Sequence, residues 1–372
     1  MSRIAYVVHN LNDSAVVRRV AMFRAGGAEV VVAGFCRDAV APSHVGGAPA
    51  VMLGHTRDAA LAQRAARVLG VVARPAGLLE ACRGADVIVA RNLEALVPAV
   101  LARRRLNIGR LVYESLDIHR SLLGKGALPA IMRWIERRLT ARADALIYSS
   151  PAFSRNYFTP VQHFAMPMLL VENKLLCLDA APGEVPSPNA PPWRIGWFGN
   201  LRCKQTLRTL AELARNSEGR VEILIAGKAS PAEFPDFVRQ VDQPGLRYFG
   251  PYTPGDLPAL YGQCHFAWAI DYFEEGLNSS WLLPNRLYEA AAFGVVPIAL
   301  STVETGHWLA TQHAGLLLPE QGHVAALRAV LEATGPEEYS AMHSAIAAIS
   351  RADLIADRDD CRELVTDITA AC

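Results

Sequence analysis

The stretch from Pro284 to Leu300 constrains the fold of this chain more than any other segment. A proline opens a helical pattern, Gly294 closes it, and an apolar run follows at once. Proline is tolerated at a helix start, because its missing N–H would have no partner there, and glycine readily adopts the left-handed conformation of a helix end. The pattern predicts a short helix that leads directly into a buried strand at Val295–Leu300.

The start of this helix has the chemistry of an anion site. Its free backbone N–H groups and the positive end of the macrodipole favour a group such as a diphosphate. Arg286 adds a cation in the first turn, between Asn285 and Leu287, and the Glu289 carboxylate one turn later could accept hydrogen bonds from the vicinal hydroxyls of a ribose. An ordinary amphipathic helix with a solvated arginine and glutamate explains the same residues equally well.

The same segment carries a family resemblance. Its residues Pro-Asn-Arg-Leu-Tyr-Glu, followed by Ala-Phe-Gly-Val-Val-Pro-Ile, resemble the nucleotide-binding segment of family 4 and related glycosyltransferases of the two-domain GT-B fold. The bacterial enzymes that build exopolysaccharides such as succinoglycan are the most similar. The resemblance implies that Glu289 holds the donor ribose and that the helix start faces the diphosphate. Many members carry a second glutamate eight positions earlier, where this chain has Trp281.

Short apolar runs alternate with helical stretches along the whole chain, which predicts parallel sheets covered by helices on both faces. Five prolines within 181–192 predict a stiff linker. We therefore expect an α/β fold of two doubly wound Rossmann-like domains facing a cleft, as in GT-B proteins. The expected parts are an acceptor-binding domain at 1–180, a linker at 181–193, a nucleotide-sugar-binding domain at 194–345, and a helical segment at 346–372 that crosses back to the first domain.

The composition is that of an ordinary core-forming protein. A length of 372 residues suits two domains, and 51% hydrophobic with 20% charged residues excludes a disordered chain. The first residues lack the pattern of a signal peptide, and no apolar run approaches the roughly 20 residues that span a bilayer. The seven cysteines lack metal-ligand spacing. We expect a cytoplasmic protein without a metal.

Further candidates for the donor site lie in the second half. Gly199 and Asn200 follow a strand, with Lys204 just beyond, and resemble the family's glycine-rich turn near the diphosphate. Glycine lets a backbone N–H approach an anion closely, and lysine adds a point charge. Tyr252 could stack on a uracil ring, and Ser279 lies in a polar loop that could close over the sugar. The alternatives are a plain strand–helix turn for Gly199 to Lys204, core filling for Tyr252, and a solvent loop for Ser279.

Acids follow the apolar strand at Leu111–Tyr113. An inverting displacement of a diphosphate needs a base that deprotonates the acceptor hydroxyl, and a carboxylate within hydrogen-bond reach can serve. Family members often have a His-Asp pair here, but Leu116 replaces the histidine. With Trp281, this favours an inverting relative in which Asp117 is the base and Glu114 the second choice. Helix capping by these acids is the alternative.

The charge is unevenly distributed, with a balance of +10 through Ala180 and −9 in the remainder. Part of the basic excess lies in the helical stretch Ala127–Ala145, which also contains Trp134. A basic amphipathic helix with a tryptophan can lie on an anionic membrane, and this would suit a lipid-linked acceptor. A solvent-facing arginine-rich helix is the alternative. No nucleic-acid-binding motif accompanies the charge, so we expect no such partner.

Together these features predict a glycosyltransferase that moves a hexose or hexuronic acid from a nucleotide sugar, expected to be UDP-linked, to a lipid-linked oligosaccharide in exopolysaccharide synthesis. We expect metal-independent transfer, no cofactor besides the donor substrate, and peripheral contact with the inner face of the plasma membrane. Two alternatives remain open at this point. They are a sugar-nucleotide epimerase on the same fold and a non-catalytic partner in polysaccharide assembly.

Overall fold

The computed structural model describes residues 1–38, 40–56, 61–179, 190–274 and 276–370. The chain divides into two compact units, one with a mainly parallel sheet and one with a parallel sheet. Unit 1 comprises Met1–Glu172, Leu176–Leu178 and the chain from Ala356 onward, and unit 2 comprises Asn173–Leu175 and Asp179–Ile355. The linker predicted at 181–193 lies outside the described residues as far as 189, and Trp193 already begins a strand.

Unit 1 is built on an eight-stranded sheet. Its strands are β1 (Arg3–Val8), β2 (Glu29–Cys36), β3 (His44–Val45), β4 (Ala48–His55), β5 (Val87–Arg91), β6 (Arg110–Ser115), β7 (Ala145–Tyr148) and β8 (Met168–Leu170). Its first seven helices are α1 (Ser14–Ala25), α2 (Leu61–Ala73), α3 (Ala76–Cys82), α4 (Asn92–Leu106), α5 (Arg120–Leu123), α6 (Ala127–Thr140) and α7 (Pro151–Phe153), and a π-helical turn follows at Ser154–Phe158.

The order of this sheet is β3-β4-β2-β1-β5-β6-β7-β8. Every pairing is parallel except the short β3–β4 hairpin. All five residues of β5 are buried, because a central parallel strand is covered on both faces. The carboxyl ends of β1, β5 and β6 therefore lie side by side at one edge of the sheet.

Unit 2 contains a six-stranded parallel sheet. The chain continues through β9 (Leu175–Leu176), β10 (Trp193–Leu201), β11 (Val221–Ala229), β12 (Leu246–Tyr248), β13 (Phe266–Trp268), β14 (Val296–Leu300), β15 (Leu316–Leu318) and β16 (Ile355–Ala356). The sheet order is β12-β11-β10-β13-β14-β15. The remaining helices are α8 (Lys204–Arg215), α9 (Phe237–Val241), α10 (Leu257–Tyr261), α11 (Asn285–Ala292), α12 (Glu304–Thr311), α13 (His323–Ala333), α14 (Pro336–Ala347), α15 (Arg351–Leu354) and α16 (Arg358–Thr369).

The segment 284–300 folds as a helix followed by a strand, α11 and β14. Pro284 is extended, with φ −76° and ψ 152°, and stands at the N-cap, one position before the first helical residue. Gly294 has φ +76°, the left-handed conformation expected after a helix end. The strand then begins at Val296 and is buried throughout. Local sequence chemistry alone thus determines both ends of α11.

The end of the chain differs from the prediction of one helical segment at 346–372. α14 ends at Ala347, and α15 gives way to the two-residue strand β16, which pairs with β9. α16 then packs on the core of unit 1 through Cys361, Leu364 and Ile368. The break arises from a long-range strand pairing that no local pattern reveals. Among the helices of the described residues, none has the length and apolar character that crossing a bilayer requires.

Candidate functional site

Three glycines mark the carboxyl edge of the unit 2 sheet. Gly199 (φ +117°) and Gly227 (φ +140°) are register partners on β10 and β11, and the N–H of Gly227 donates to the carbonyl of Gly250 (2.8 Å). A Cβ placed on Gly199 would meet no atom within 4 Å, so space is open beside it. Asn200 follows and is exposed. Both residues lie inside β10, which corrects the prediction of a turn after the strand, and the end of this strand offers bare backbone to a ligand.

A charged cluster lies at the start of α11. Arg286 Nη2 lies 3.9 Å from Asp271 Oδ2 and donates to the carbonyl of Ile270 at 3.4 Å. Arg202, just after β10, approaches the same Asp271 oxygen at 3.8 Å and stacks over the Phe273 ring at 4.5 Å. Two guanidinium groups thus share one carboxylate, which leaves a positive excess. Within the described residues, the buried Nε of Arg286 has no hydrogen-bond partner.

Arg202 was missed by the sequence analysis, which considered only Lys204 beyond the same strand. Lys204 is the first residue of α8, is half exposed, and lies 3.6 Å from Glu233. Arg202 directly follows β10 and contacts Asp271, the carboxylate that Arg286 also approaches. Its position directly after a glycine-bearing strand was the available signal. Of the two basic residues just beyond β10, Arg202 is therefore the one held at the start of α11.

Glu289 is held by aromatic neighbours. It is half-buried and accepts a hydrogen bond from the Tyr261 hydroxyl at 3.2 Å. Burial, and then the charge of Glu289, raise the pKa of both Tyr252 and Tyr261, so the two phenols stay protonated. Tyr252 packs edge-on against Phe198 at 6.4 Å between ring centroids. The carboxylate thus has a fixed orientation beside a half-buried aromatic ring, as ribose and base recognition would require.

Three further residues predicted to bind the nucleotide sugar have surroundings that suit this role to different degrees. Asn285 is exposed at the first position of α11. The side chain of Leu287 is fully buried and its N–H donates to the carbonyl of Pro284 at 3.0 Å, so its prediction as a ligand is corrected. The Ser279 hydroxyl is buried and accepts from the N–H of Glu274 at 3.0 Å. Ser279 therefore stabilises its own loop, and a direct contact with the sugar is not supported.

The two predicted acids of unit 1 have opposite surroundings. Asp117 is exposed in the bend between β6 and α5. Glu114 is fully buried, accepts from Arg19 Nε at 2.6 Å and from the Tyr6 hydroxyl, and lies 3.5 Å from Arg91. We call these four residues, Tyr6, Arg19, Arg91 and Glu114, the Glu114 cluster. Glu114 is held in this buried cluster and is not available as a base. Its prediction as the second choice for the catalytic base is therefore corrected.

The pKa of Glu114 follows from this cluster. Burial alone would raise it, but the guanidinium groups of Arg19 and Arg91 and the hydroxyl of Tyr6 hold it below its ordinary value. The carboxylate is therefore charged at neutral pH. Since its partners come from α1, β1 and β5, the cluster ties the centre of the sheet to the first helix.

Comparison with known proteins gives four matches that agree with one another. The model of a family described as "Glycosyl transferase 4-like domain" matches residues 14–160. The succinoglycan biosynthesis protein ExoL of Rhizobium meliloti (strain 1021) is 42% identical over 384 residues, covering 99% of this chain and 93% of that protein. Among solved structures, Anabaena Alr3699/HepE in complex with UDP-glucose superposes with a TM-score of 0.70 at 13% identity, covering 99% of both chains. WaaG, a glycosyltransferase involved in lipopolysaccharide biosynthesis, gives a TM-score of 0.62 at 14% identity and covers 99% of this chain and 100% of its own.

Proposed function

Because this chain belongs to the glycosyltransferase 4-like family, we propose that it moves a hexose or hexuronic acid from a UDP-sugar to a lipid-linked saccharide during bacterial exopolysaccharide synthesis. The observation that carries the proposal is the 42% identity to a succinoglycan biosynthesis protein across 99% of the chain. The predicted GT-B fold and the predicted glycosyltransferase activity are both confirmed. The donor, the acceptor and the mechanism are our proposals.

The unit 2 edge supports a nucleoside diphosphate donor. Arg286 and Arg202 provide fixed positive charge where a diphosphate would lie beside the start of α11. The open space beside Gly199 allows a ligand to approach the backbone of β10 closely, and Glu289 is oriented to accept from ribose hydroxyls. We propose that a uracil base stacks on Tyr252; the similar Anabaena protein was solved in complex with UDP-glucose. We propose Lys204 as a further cation at the diphosphate.

These side chains also suggest how transfer proceeds without a metal. As the bond between the anomeric carbon and the diphosphate breaks, negative charge grows on the leaving oxygen and is stabilised by preorganised cations and backbone dipoles. We propose that Asp117 takes the proton of the acceptor hydroxyl while that oxygen bonds to the anomeric carbon. The electron pair of the broken bond leaves with UDP. Inversion at the anomeric carbon follows from this single displacement.

The exposed face of α6 supports contact with an anionic membrane. Leu128, Ile131 and Trp134 are 61%, 54% and 54% exposed and recur at helical spacing on one side. Arg138 lies over the Trp134 ring at 5.5 Å and is itself exposed, as is Arg137. Apolar side chains beside cations are the composition that binds a bilayer surface with anionic lipids. We propose that this stripe brings the enzyme to its lipid-linked acceptor at the inner face of the plasma membrane.

A donor and acceptor screen tests the proposed function. UDP- and GDP-sugars are each incubated with the protein, first alone and then with a lipid-linked saccharide, and products are separated by mass spectrometry. We expect a glycosylated lipid only with both substrates present, and a UDP-sugar as donor. A new sugar nucleotide formed without an acceptor would support the epimerase alternative, and absence of any product would contradict the proposal.

A further inference from the structure

A chain of polar contacts runs from the buried Glu114 cluster to the carboxyl end of β1. Arg91 bridges the cluster to Asp13, with 3.6 Å between Nη2 and Oδ2. The same Asp13 oxygen lies 3.5 Å from Nε2 of His9, the residue that follows β1. The other Asp13 oxygen caps α1 by accepting from the N–H of Ala15 at 2.9 Å. Both oxygens of Asp13 are therefore committed, and its side chain has one orientation.

The far end of this chain is a contact between His9 and Asn92. Asn92 Nδ2 lies 3.4 Å from Nδ1 of His9, at the long limit of a hydrogen bond. Since Asp13 faces Nε2, the neutral ring carries its proton there and Nδ1 accepts from Asn92. Both residues are partly exposed, and His9 retains 13% of its side-chain surface. With Asp13, whose side chain is 25% exposed, the pair thus forms the partly exposed end of a network that starts in the buried Glu114 cluster.

The backbone of Asn92 adds an independent observation. Its φ of +66° lies in the left-handed region, which non-glycine residues adopt only at a cost, although it is the first residue of α4. This conformation directs the chain from β5 into α4 at the sheet edge. Helix capping explains Asp13, but it explains neither the strained Asn92 nor its contact with His9.

The surroundings keep His9 uncharged. Burial lowers its pKa to about 4, the cations Arg91, Arg37 and Arg64 act in the same direction, and Asp13 opposes them without prevailing. At neutral pH the ring is therefore a hydrogen-bonding group and not a carrier of charge. A neutral acceptor nitrogen beside a neutral amide donor matches a hydroxyl group, which both donates and accepts.

We propose that His9 and Asn92 form a pair that binds a hydroxyl group of the acceptor saccharide, with Asp13 as the residue that positions His9. A hydroxyl that bridges the two nitrogens from the exposed side would donate to Nδ1 of His9 and accept from Nδ2 of Asn92. This inference rests on the proposed function, because it assigns the acceptor of that same transfer to unit 1.

The test measures binding of two simple glycosides, octyl β-D-glucopyranoside and octyl β-D-galactopyranoside, by saturation-transfer NMR. The variants are His9→Ala and Asn92→Gly, the second of which removes the amide but keeps the left-handed backbone available. Asn107→Gly is the matched control, since Asn107 is an exposed left-handed asparagine at the other end of α4. For at least one of the two glycosides, we expect both variants to lose affinity at least tenfold. The control should bind both glycosides with the affinity of the wild type.

Asp13→Asn tests the positioning role, because asparagine caps helices as well as aspartate does but lacks the charge that holds His9. We expect weaker glycoside binding in a protein that still folds, whereas a residue that only caps α1 would leave binding intact.

Glycoside binding that survives both substitutions, or no binding by the wild type, would overturn the inference. So would a variant His9→Ala that binds normally but has lost turnover, since His9 would then be the base. If binding that depends on Asn92 persists in a protein that uses no nucleotide sugar, the proposed function fails; the pair then binds a saccharide hydroxyl, but not as the acceptor of a transfer.

Discussion

A methyl group placed on Gly227 would lie 1.8 Å from the carbonyl oxygen of Gly199 on the neighbouring strand. The atom in the way belongs to the backbone, so no side-chain rotation relieves the clash. Gly227 also has φ +140°, a conformation that side-chain-bearing residues rarely adopt. The close approach of β10 and β11 at their carboxyl ends therefore depends on this one glycine.

Gly227→Ala is predicted to destabilise unit 2 and to distort β10 at Gly199. Overpacking against backbone costs about 1–3 kcal/mol, and backbone strain adds a similar amount. Urea unfolding measures the loss of stability, and UDP titration measures the effect on ligand binding at Gly199. Gly199→Ala is the matched control, since its added methyl meets nothing within 4 Å and only its φ of +117° is strained. Equal stability losses in the two variants would show that the clash does not exist.

Asp117→Asn is predicted to separate turnover from donor binding. If Asp117 takes the acceptor proton, turnover should fall by about 10²–10⁴, because that is what a positioned base contributes. The affinity for UDP should stay the same, since the exposed Asp117 belongs to unit 1 and the donor residues belong to unit 2. Single-turnover kinetics and calorimetry give the two values, with the exposed Asp242→Asn as control. Full turnover in Asp117→Asn would exclude it as the base.

Glu114→Gln is predicted to weaken the fold in a pH-dependent way. The lowered pKa of Glu114 means that its contribution to stability is complete above its ordinary value of 4.5 and is lost as the pH falls through the lower folded value. At pH 7 the variant leaves Arg19 and Arg91 without their buried partner, which costs about 3–5 kcal/mol.

Below about pH 4.5 the difference in the free energy of unfolding between wild type and Glu114→Gln should shrink. Glu332→Gln, which alters an exposed pair with Arg328, should change stability little at any pH. Urea unfolding across the pH range measures both variants. A difference that stays constant with pH would indicate that Glu114 is protonated in the folded protein.

The double variant Ile131→Asp with Trp134→Ser is predicted to reduce binding to vesicles that contain phosphatidylglycerol. Losing two exposed apolar side chains and adding a negative charge should weaken binding by roughly tenfold or more. Co-sedimentation with vesicles measures the bound fraction. Val238→Asp is the control, because Val238 is 68% exposed but lies in unit 2, outside the stripe. Equal losses in both proteins would remove α6 as the membrane surface.

Local chemistry accounts for the parts of the structure that the sequence predicted well. Proline, glycine and apolar periodicity act over a few residues, so both ends of α11 and the buried β14 followed from the sequence alone. The burial of Glu114 could not be foreseen, because its partners Arg19 and Arg91 come from distant elements. The same reason applies to Arg202, whose approach to Asp271 exists only once the sheet has formed. Sequence patterns predict which residues end a strand, but they do not predict which charges then meet.

The most direct test of the donor site is a calorimetric titration with UDP of the wild type, Glu289→Ala and Arg202→Ala, with Glu332→Gln as control. We predict that the wild type and the control bind UDP equally. Each of the other two variants should lose roughly tenfold or more in affinity, since a hydrogen bond to a charged group contributes about 1.5–3 kcal/mol. UDP binding that is unchanged in both variants, or absent in the wild type, would contradict the account of this site.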